Sequence, residues 1–255
     1  MILVLGGTSD SLKICDRLNQ IGISDFVLSV ATEFGKDLAL EHAKNIINGK
    51  MDKKEMVEYI RDKGIRQVID ATHPYAIEVS RNAIEACDQT DIKYIRFERK
   101  SLLDEIKYQQ EYVVDTIEEA CDMVMKNKNW ENVLIATGDR KSVATYVKLL
   151  KGKKLVARVL PTSEVIRSCE AMGLNADNII ALKGPFSKDI NVALLKHSKI
   201  EVVITKESGF AGGFIDKIEA CEELGIPVII IRRRTIDYQR MIHSIDEIEE
   251  GLIFG

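Results

Sequence analysis

The feature that most constrains the fold of this chain is a repeated alternation of short apolar runs with longer amphipathic stretches. The run Ile2-Leu3-Val4-Leu5 is followed by a glycine turn, and apolar side chains then recur at helical spacing over residues 9–21. Further short apolar runs predict strands at residues 26–30, 67–70, 93–97, 112–114, 133–136, 155–160, 178–182, 202–205 and 228–231. Short, continuously apolar strands separated by helices are typical of a parallel sheet that is covered on both faces.

The alternation restarts after a charged and weakly apolar stretch at residues 98–111. We therefore predict an α/β fold with two Rossmann-like lobes, residues 1–100 and residues 101–255, which contain parallel sheets and have a ligand cleft between them. A closing helix is predicted over residues 245–253. One continuous doubly wound sheet is the alternative architecture. In either case we expect ligands to bind at the loops that follow the carboxyl ends of the strands.

The charge balance and the cysteine pattern narrow the function classes. The chain has 36 Lys and Arg against 40 Asp and Glu, a net charge of −4, which argues against nucleic-acid binding. No apolar run approaches the roughly 20 residues that span a bilayer, so no membrane contact is expected. Five widely spaced cysteines without a Cys-x-x-Cys pair indicate reduced thiols and a cytoplasmic protein. Only four histidines and no zinc motif are present, so no metal site is expected.

The first candidate loop is Gly-Gly-Thr-Ser, directly after the first predicted strand. Its glycines allow the backbone to approach a ligand closely, and Thr8 or Ser9 is a candidate N-cap. The free N–H groups of a helix N-terminus favour a phosphate or a carboxylate, so Gly7, Thr8 and Ser9 are candidate cofactor contacts. The full Gly-x-Gly-x-x-Gly pattern is absent, and no acid stands at the end of the second predicted strand. A simple tight turn is therefore the alternative.

The second candidate loop, Asp-Ala-Thr-His-Pro-Tyr-Ala, begins at the last residue of the strand that ends at Asp70. It places Asp70, His73 and Tyr75 together at a strand exit, where a proton can be transferred or a ligand bound by hydrogen bonds. A histidine with an ordinary pKa of ~6.5 is available in both protonation states. The alternative is purely structural: a helix begins at Pro74, continues to about residue 87 and is capped by Thr72 or His73.

The third candidate loop, Thr-Lys-Glu-Ser-Gly-Phe-Ala-Gly-Gly, contains Lys206, Ser208 and Gly209. Backbone amides and one ammonium group form a plausible cradle for a pyrophosphate, although the order of residues in a Walker A loop is missing. Gly138 and Ser187 lie in turns after other predicted strands, on the same expected edge. Glycine and proline in those turns are also explained by turn formation alone.

Several arginines lie near the ends of predicted strands. They are Arg96, Arg99, Arg158 and the run Arg232-Arg233-Arg234. An arginine in such a position is usually solvated, and the alternative is that it faces an acidic substrate.

Taken together, these motifs resemble the precorrin-6A reductase family of cobalamin biosynthesis. The resemblance covers nearly the whole chain and depends on the order and spacing of seven segments. These segments lie at residues 6–8, 70–76, 96–99, 137–138, 157–161, 184–187 and 205–209. The chain departs from the family pattern where Lys100, Ser101 and Leu102 replace the usual Pro, and where Asp10 replaces a common Glu.

The resemblance implies a two-lobed enzyme that transfers a hydride from NADPH or NADH to one double bond of a tetrapyrrole. The implied substrate is precorrin-6A or its cobalt complex, and the product is the 6B form. Such a substrate carries many carboxylates, so arginines in the cleft would favour its binding. Contact with neighbouring pathway enzymes is a further expectation. The alternatives are another NAD(P)-dependent small-molecule oxidoreductase and a non-catalytic NAD(P)-binding sensor.

The resemblance also implies roles for individual residues. His73 or Tyr75 orients the substrate or relays a proton, and Asp70 fixes His73. The expected substrate contacts are Arg96, Arg99 and Arg158. Lys206, Ser208 and Gly209 are expected to hold the cofactor phosphates or ribose, with Gly138 and Ser187 nearby and with Gly7, Thr8 and Ser9 contributed by the other lobe.

Overall fold

The computed structural model describes residues 1–138, 140–207, 213–233 and 236–252. The chain divides into two compact units, of which the first comprises residues 1–100 with the described part of residues 234–255, and the second comprises residues 101–233. Each unit contains its own six-stranded sheet, and every strand pairs in parallel with its neighbours. This confirms the predicted α/β class with two sheets and excludes one continuous sheet.

The described part of the first unit contains six strands and five α-helices. Its strands are β1 (Ile2–Leu5), β2 (Phe26–Val30), β3 (Ile46–Asn48), β4 (Gln67–Asp70), β5 (Lys93–Phe97) and β12 (Met241–Ile242). Its helices are α1 (Ser9–Gln20), α2 (Glu33–Ala39), α3 (Lys53–Lys63), α4 (Ile77–Thr90) and α10 (Ile248–Gly251). The strand order is β12-β5-β4-β1-β2-β3, so the chain changes direction across the sheet between β1 and β4. Ligands of open α/β sheets bind at such a switch point.

Alternation of side chains along β1 builds the two cores of this unit. Val4 packs in one cluster with Ile14 and Leu18 from α1, whereas Leu3 and Leu5 pack in the other cluster, on the side of α3 and α4. Because successive strand residues point to opposite faces, an unbroken apolar run is what a sheet with helices on both faces requires.

The second unit repeats this architecture with a different strand order. Its strands are β6 (Glu111–Val114), β7 (Asn132–Gly138), β8 (Lys154–Val159), β9 (Ile179–Ala181), β10 (Val202–Lys206) and β11 (Val228–Ile231). Its helices are α5 (Ile117–Lys126), α6 (Arg140–Leu149), α7 (Ser163–Ala171), α8 (Lys188–His197) and α9 (Phe214–Leu224). The order β6-β11-β10-β7-β8-β9 places the switch point between β7 and β10.

The C-terminal segment corrects the expected domain range. The prediction assigned residues 101–255 to the second lobe, but β12 pairs with β5 of the first sheet through Met241 opposite Arg96 and Ile242 opposite Phe97. The closing helix predicted over residues 245–253 is only the short α10 in the described chain. A two-residue edge strand carries too little apolar periodicity to be recognised from the sequence.

The start of α4 is a second correction. The helix was predicted from Pro74, but it begins at Ile77, and its N-cap Ala76 makes no side-chain capping bond. The N–H of Ala76 instead bonds to the carbonyl oxygen of His73 at 2.7 Å, so Pro74 lies in a turn before the helix. The Thr72 hydroxyl donates to a carboxylate oxygen of Asp70 and accepts from Nη1 of Arg96, so it bonds within this buried network and not to the start of α4.

The described residues show no membrane-spanning helix, no metal cluster and no disulfide. No helix among them is both long and apolar enough to cross a bilayer. They contain no group of three His, Cys, Asp or Glu side chains that is arranged to hold a metal ion. All five cysteines are free and buried.

Candidate active site

The loop after β1 is held against the loop after β4 by one threonine. The Thr8 hydroxyl donates a 2.8 Å hydrogen bond to the carbonyl oxygen of Ala71 and accepts a 3.1 Å bond from the N–H of Ser11. Thr8, and not Ser9, is therefore the N-cap of α1. The structure thus brings two of the three predicted loops together at the switch point of the first unit.

Gly6 and Gly7 of this loop are explained by different structural requirements. A Cβ atom on Gly6 would lie 2.6 Å from Cδ1 of Leu28 and 2.8 Å from Oγ of Ser11, so a side chain does not fit. Gly7 has a φ of +98°, which L side chains rarely adopt, and it is exposed. An exposed backbone next to the N-terminus of a 12-residue helix can donate N–H groups to an anion.

Asp70, at the carboxyl end of β4, is fully buried and accepts five hydrogen bonds. Its Oδ1 accepts from the N–H and the hydroxyl of Thr72, at 3.0 and 2.6 Å, and from Nη1 of Arg96, at 2.9 Å. Its Oδ2 accepts from the hydroxyls of Ser80, at 2.6 Å, and Tyr94, at 2.7 Å. These bonds occupy the lone pairs of both oxygens, so Asp70 orders the start of the loop. These bonds give Asp70 an anchoring role, and its expected part in catalysis stays a prediction.

Arg96 lies in the same buried network. Its side chain is 0% exposed, and its guanidinium pairs with Asp70 and, through Nε and Nη2 at 3.0 Å, with Oε2 of Glu98. Burial alone lowers the pKa of Arg96, but the two carboxylates more than compensate and raise it above its ordinary value. The buried guanidinium is thus engaged by two carboxylates, and the expected substrate contact at Arg96 stays a prediction.

An aromatic cluster completes this buried network. The rings of Tyr94 and Tyr238 stack at 6.3 Å with an interplanar angle of 10°, and Cζ of Arg96 lies 5.5 Å from the centre of the Tyr238 ring. Burial first, and then the negative charge of Asp70, raises the pKa of Tyr94. Tyr238 belongs to the C-terminal segment, and no motif in the sequence indicated that it would return to this network.

His73 and Tyr75 lie beside each other, as predicted. Their ring centres are 5.6 Å apart, and the Tyr75 N–H donates to Nδ1 of His73 at 3.4 Å. His73 is exposed and Tyr75 is half-buried. Arg99, which is 27% exposed, forms an ion pair with Asp10 of α1. These three side chains are therefore the candidates of the first unit that a ligand can reach.

In the second unit, two of the residues predicted to contact the cofactor lie at the switch point. Gly138 ends β7 and Lys206 ends the adjacent strand β10. Nζ of Lys206 donates to the buried Ser142 hydroxyl of α6 at 3.1 Å. Gly138 has a φ of +79°, and a Cβ atom there would meet nothing within 4 Å. Ser208 and Gly209 lie outside the described residues.

A buried ion pair follows Lys206. Glu207 and Arg233 approach within 3.3 Å, with 2% and 8% of their side chains exposed. Arg232 instead pairs with Asp115 at 3.0 Å, with both side chains more than half exposed. The sequence places the three arginines together in one run. In the structure Arg232 is exposed, whereas Arg233 is buried.

Arg158 and Ser187 are placed near each other on the edge formed by β8 and α8. Ser187 is the N-cap of α8. Nη1 of Arg158 donates to Oδ1 of Asn191 at 2.8 Å, and its Cζ lies 4.8 Å from the centre of the Phe186 ring. Burial lowers the pKa of Arg158 to about 10. Arg158 is half-buried, so its charge contributes to the potential of this edge.

The comparisons with known proteins agree in their result. The family model described as Precorrin-6x reductase CbiJ/CobK matches residues 1–252. The cobalt-precorrin-6A reductase of Salmonella typhimurium is 38% identical over 234 residues, which are 92% of this chain and 88% of that protein. The cobalt-precorrin-6A reductase of Priestia megaterium is 35% identical over 99% of this chain and 98% of that protein.

A solved structure shows that the fold is shared. The structure described as CobK precorrin-6A reductase superposes with a TM-score of 0.78 and covers 98% of this chain and 95% of that one. Its sequence identity is 23%, so this likeness concerns the fold. The family model and the curated relatives together carry the conclusion: the chain belongs to the precorrin-6x reductase CbiJ/CobK family.

Proposed function

We propose that this protein reduces precorrin-6A, or its cobalt complex, to the 6B form with a hydride from NADPH or NADH. The observation that carries the proposal is the match to the reductase family model over residues 1–252, together with relatives of that activity along nearly the full length. A nicotinamide cofactor, when bound, supplies the hydride, and the protein supplies positioning and electrostatics.

The switch point of the second unit fits the phosphates of a dinucleotide. The Lys206 ammonium and the Ser142 hydroxyl are donors at the end of β10 and in the first turn of α6. The open space at Gly138 leaves room for a ligand against the backbone, and the N-terminus of the ten-residue α6 favours an anion. We assign the phosphates or ribose to this edge, with Ser187 nearby and with Ser208 and Gly209 as contacts proposed from the sequence.

The first unit supplies the proposed proton relay. His73 and Tyr75 lie side by side where a ligand can reach them, on a loop that Asp70 and Thr8 hold in place. Either side chain can hold or deliver a proton to the carbon next to the one that receives the hydride. Gly7, Ser9 and Arg99 are further proposed contacts of this unit, the last for a substrate carboxylate.

The five buried, free cysteines fit a reducing compartment, and we propose the cytoplasm. No acidic residue follows β2 directly, and the first carboxylate after this strand, Glu33, is the first residue of α2. The proposal therefore includes both NADH and NADPH, and the experiment compares them.

The proposal is tested by anaerobic turnover with NADPH or NADH and with metal-free or cobalt-containing precorrin-6A. The expected result is loss of reduced cofactor together with a product that carries two additional hydrogens. Cofactor binding without turnover of either tetrapyrrole would favour the sensor alternative. Lys206→Met should raise the cofactor KM, whereas Lys148→Met, an exposed lysine in the last turn of α6, should not.

A further inference from the structure

Lys217 of α9 is a lysine buried in an apolar core. Its residue is 4% exposed, and Nζ donates a 2.6 Å hydrogen bond to the hydroxyl of Thr205, which is itself fully buried. Phe214 and Ile218 of the same helix and Ile230 of β11 belong to one hydrophobic cluster. Within the described part of the chain, no carboxylate forms an ion pair with this ammonium. A buried charge with a single neutral partner is costly and needs an explanation.

A second cation lies on the same face of the sheet. Thr205 is opposite Ala136 in the β7–β10 pairing, and Arg158 extends from β8 on the other side of β7. Arg158 bonds to Asn191 of α8, so its described hydrogen-bond partner is also uncharged. The charge of Arg158 acts on Lys217 and disfavours its protonation.

The other described groups on α9 and the adjacent strands form no ion pair with Lys217, and the buried carboxylate of Glu207, two residues after Thr205, pairs with Arg233 instead. Cys221, one turn later on α9, has its thiol pKa raised to about 12 by burial, so it is neutral. The Tyr108 hydroxyl directs its bonds to the carbonyl oxygens of Cys221 and Ile226. The strands β7 and β11 contribute the apolar Ala136 and Ile230. The carboxylates Glu219, Glu222 and Glu223 of α9 and Asp189 of α8 are exposed, and Asp216 of α9 is half-buried.

Two helix N-termini add positive potential at this edge. The N-cap of α8 is Ser187 and that of α9 is Gly213, and both helices are at least ten residues long. A Cβ atom on Gly213 would lie 3.3 Å from Pro185 and 3.4 Å from the backbone of Phe186, so the two N-termini are packed together. Two cations and two helix N-termini therefore share this edge. Asp189 and Asp216, in the first turns of α8 and α9, offset the helix dipoles, but among the described residues neither forms an ion pair with Lys217.

We infer that an anion bound at this edge supplies the missing counter-charge, so that its binding is coupled to the uptake of a proton by Lys217. The inference deepens the proposed function and rests on it, because the anion is the pyrophosphate of the nicotinamide dinucleotide. Lys217 does not have to touch the ligand. Its hydrogen-bond partner Thr205 directly precedes Lys206 in β10, so the charge of Lys217 can act on a bound anion through buried protein that screens it weakly.

The pKa of Lys217 lies in the range where binding of an anion can change its protonation state. Burial first, and then the charge of Arg158, lowers the pKa of Lys217 to about 7. Near neutral pH the unliganded protein therefore holds a mixture of neutral and charged Lys217. A nearby anion favours the charged form and raises the pKa, so protons are taken up as the anion binds.

The experiment is isothermal titration calorimetry with NADH and with NADPH, in buffers of different ionisation enthalpy at pH 7.5. The dependence of the observed heat on the buffer gives the number of protons taken up. We expect between about 0.3 and 0.8 of a proton for the wild type, and at least about 0.3 less for Lys217→Met and Lys217→Gln. The control Lys196→Met, an exposed lysine in the last turn of α8, should behave as the wild type.

Circular dichroism shows which of the two Lys217 variants is folded. One folded variant is enough for the comparison of proton uptake with the wild type. Binding without proton uptake in the wild type, or equal uptake in a folded Lys217 variant, would overturn the coupling and leave the proposed reductase function standing. If neither dinucleotide bound the wild type, the cofactor assignment would fall and the coupling with it.

Discussion

Asp70 and Arg96 form an ion pair in which neither side chain is exposed, with Oδ1 and Nη1 2.9 Å apart. The two residues are direct partners in the pairing of β4 with β5. The carboxylate that holds Arg96 also accepts both polar hydrogens of Thr72, immediately before His73. The buried pair therefore fixes the loop that carries the proposed proton donor.

Asp70→Asn should destabilise the first unit. The substitution leaves the buried guanidinium with one carboxylate, Glu98, and sets amide hydrogens against the hydroxyl donors that Asp70 accepted. We expect a loss of about 3 kcal/mol or more in the free energy of unfolding, measured by urea denaturation followed by far-UV circular dichroism. Asp62→Asn, at an exposed site of α3, should change it by less than about 0.5 kcal/mol. Equal effects of the two variants would contradict the anchoring role.

Thr8→Val should weaken the connection between the β1 and β4 loops. The substitution removes the N-cap of α1 and the bond to Ala71, while the volume of the side chain is kept. We expect a loss of about 1–2 kcal/mol in urea denaturation. Thr8→Ser keeps the hydroxyl and should lose less than half of this amount. A serine variant as unstable as the valine variant would show that the hydroxyl is not the stabilising group.

Lys217 should make the stability of the second unit depend on pH. Its folded-state pKa of about 7 is below that of an unfolded lysine, about 10.4, so the unfolded chain binds more protons between these values. The free energy of unfolding therefore rises with pH, by at most about 1.4 kcal/mol per pH unit. Relative to Lys217→Met, the wild type should gain stability from pH 7 to pH 9. Fluorescence of the single tryptophan, Trp130, reports this transition.

The same series with Lys196→Met is the control, because that lysine is exposed and should give a constant offset from the wild type. A constant offset for Lys217→Met as well would mean that Lys217 keeps an ordinary pKa in the folded protein.

His73→Gln and Tyr75→Phe should separate chemistry from binding. Loss of the proton donor should lower kcat by about 10²-fold or more, with the cofactor KM nearly unchanged, because the proposed cofactor contacts Lys206 and Gly138 belong to the other unit. His73 is exposed, so the stability of His73→Gln should remain within about 0.5 kcal/mol of the wild type. Full turnover of both variants would place the proton donor elsewhere, with water as one source.

The elements that the sequence predicted best are the buried strands. β1, β2, β4, β5 and β11 have the predicted bounds, because each is a short run centred on β-branched, leucine or aromatic side chains and lies between turns. The short, half-buried β3 and the two-residue β12 lack such a run, and α2 exposes Phe34 and Leu38, so neither periodicity marked them. Their positions depend on tertiary pairing.

The residues of the candidate site also divide into those that local sequence predicts and those whose environment depends on tertiary structure. The positions of Lys206 and Gly138 at the ends of strands could be predicted, because strand ends and glycine turns are local features of the sequence. The burial of Arg96 could not be read locally, since it depends on the register that sets Arg96 opposite Asp70. Lys217 occupies an ordinary helical position in the sequence, and only the packing of α9 on the sheet reveals that its charge is buried.

The most direct test of the account is transfer of a label from the cofactor. Reduced nicotinamide dinucleotide that carries two deuterium atoms at C4 is supplied anaerobically with precorrin-6A or its cobalt complex, and the product is analysed by mass spectrometry. Direct hydride transfer predicts a 6B product that contains one deuterium from the cofactor. An unlabelled 6B product, formed while the labelled cofactor is oxidised, would contradict the proposed reaction.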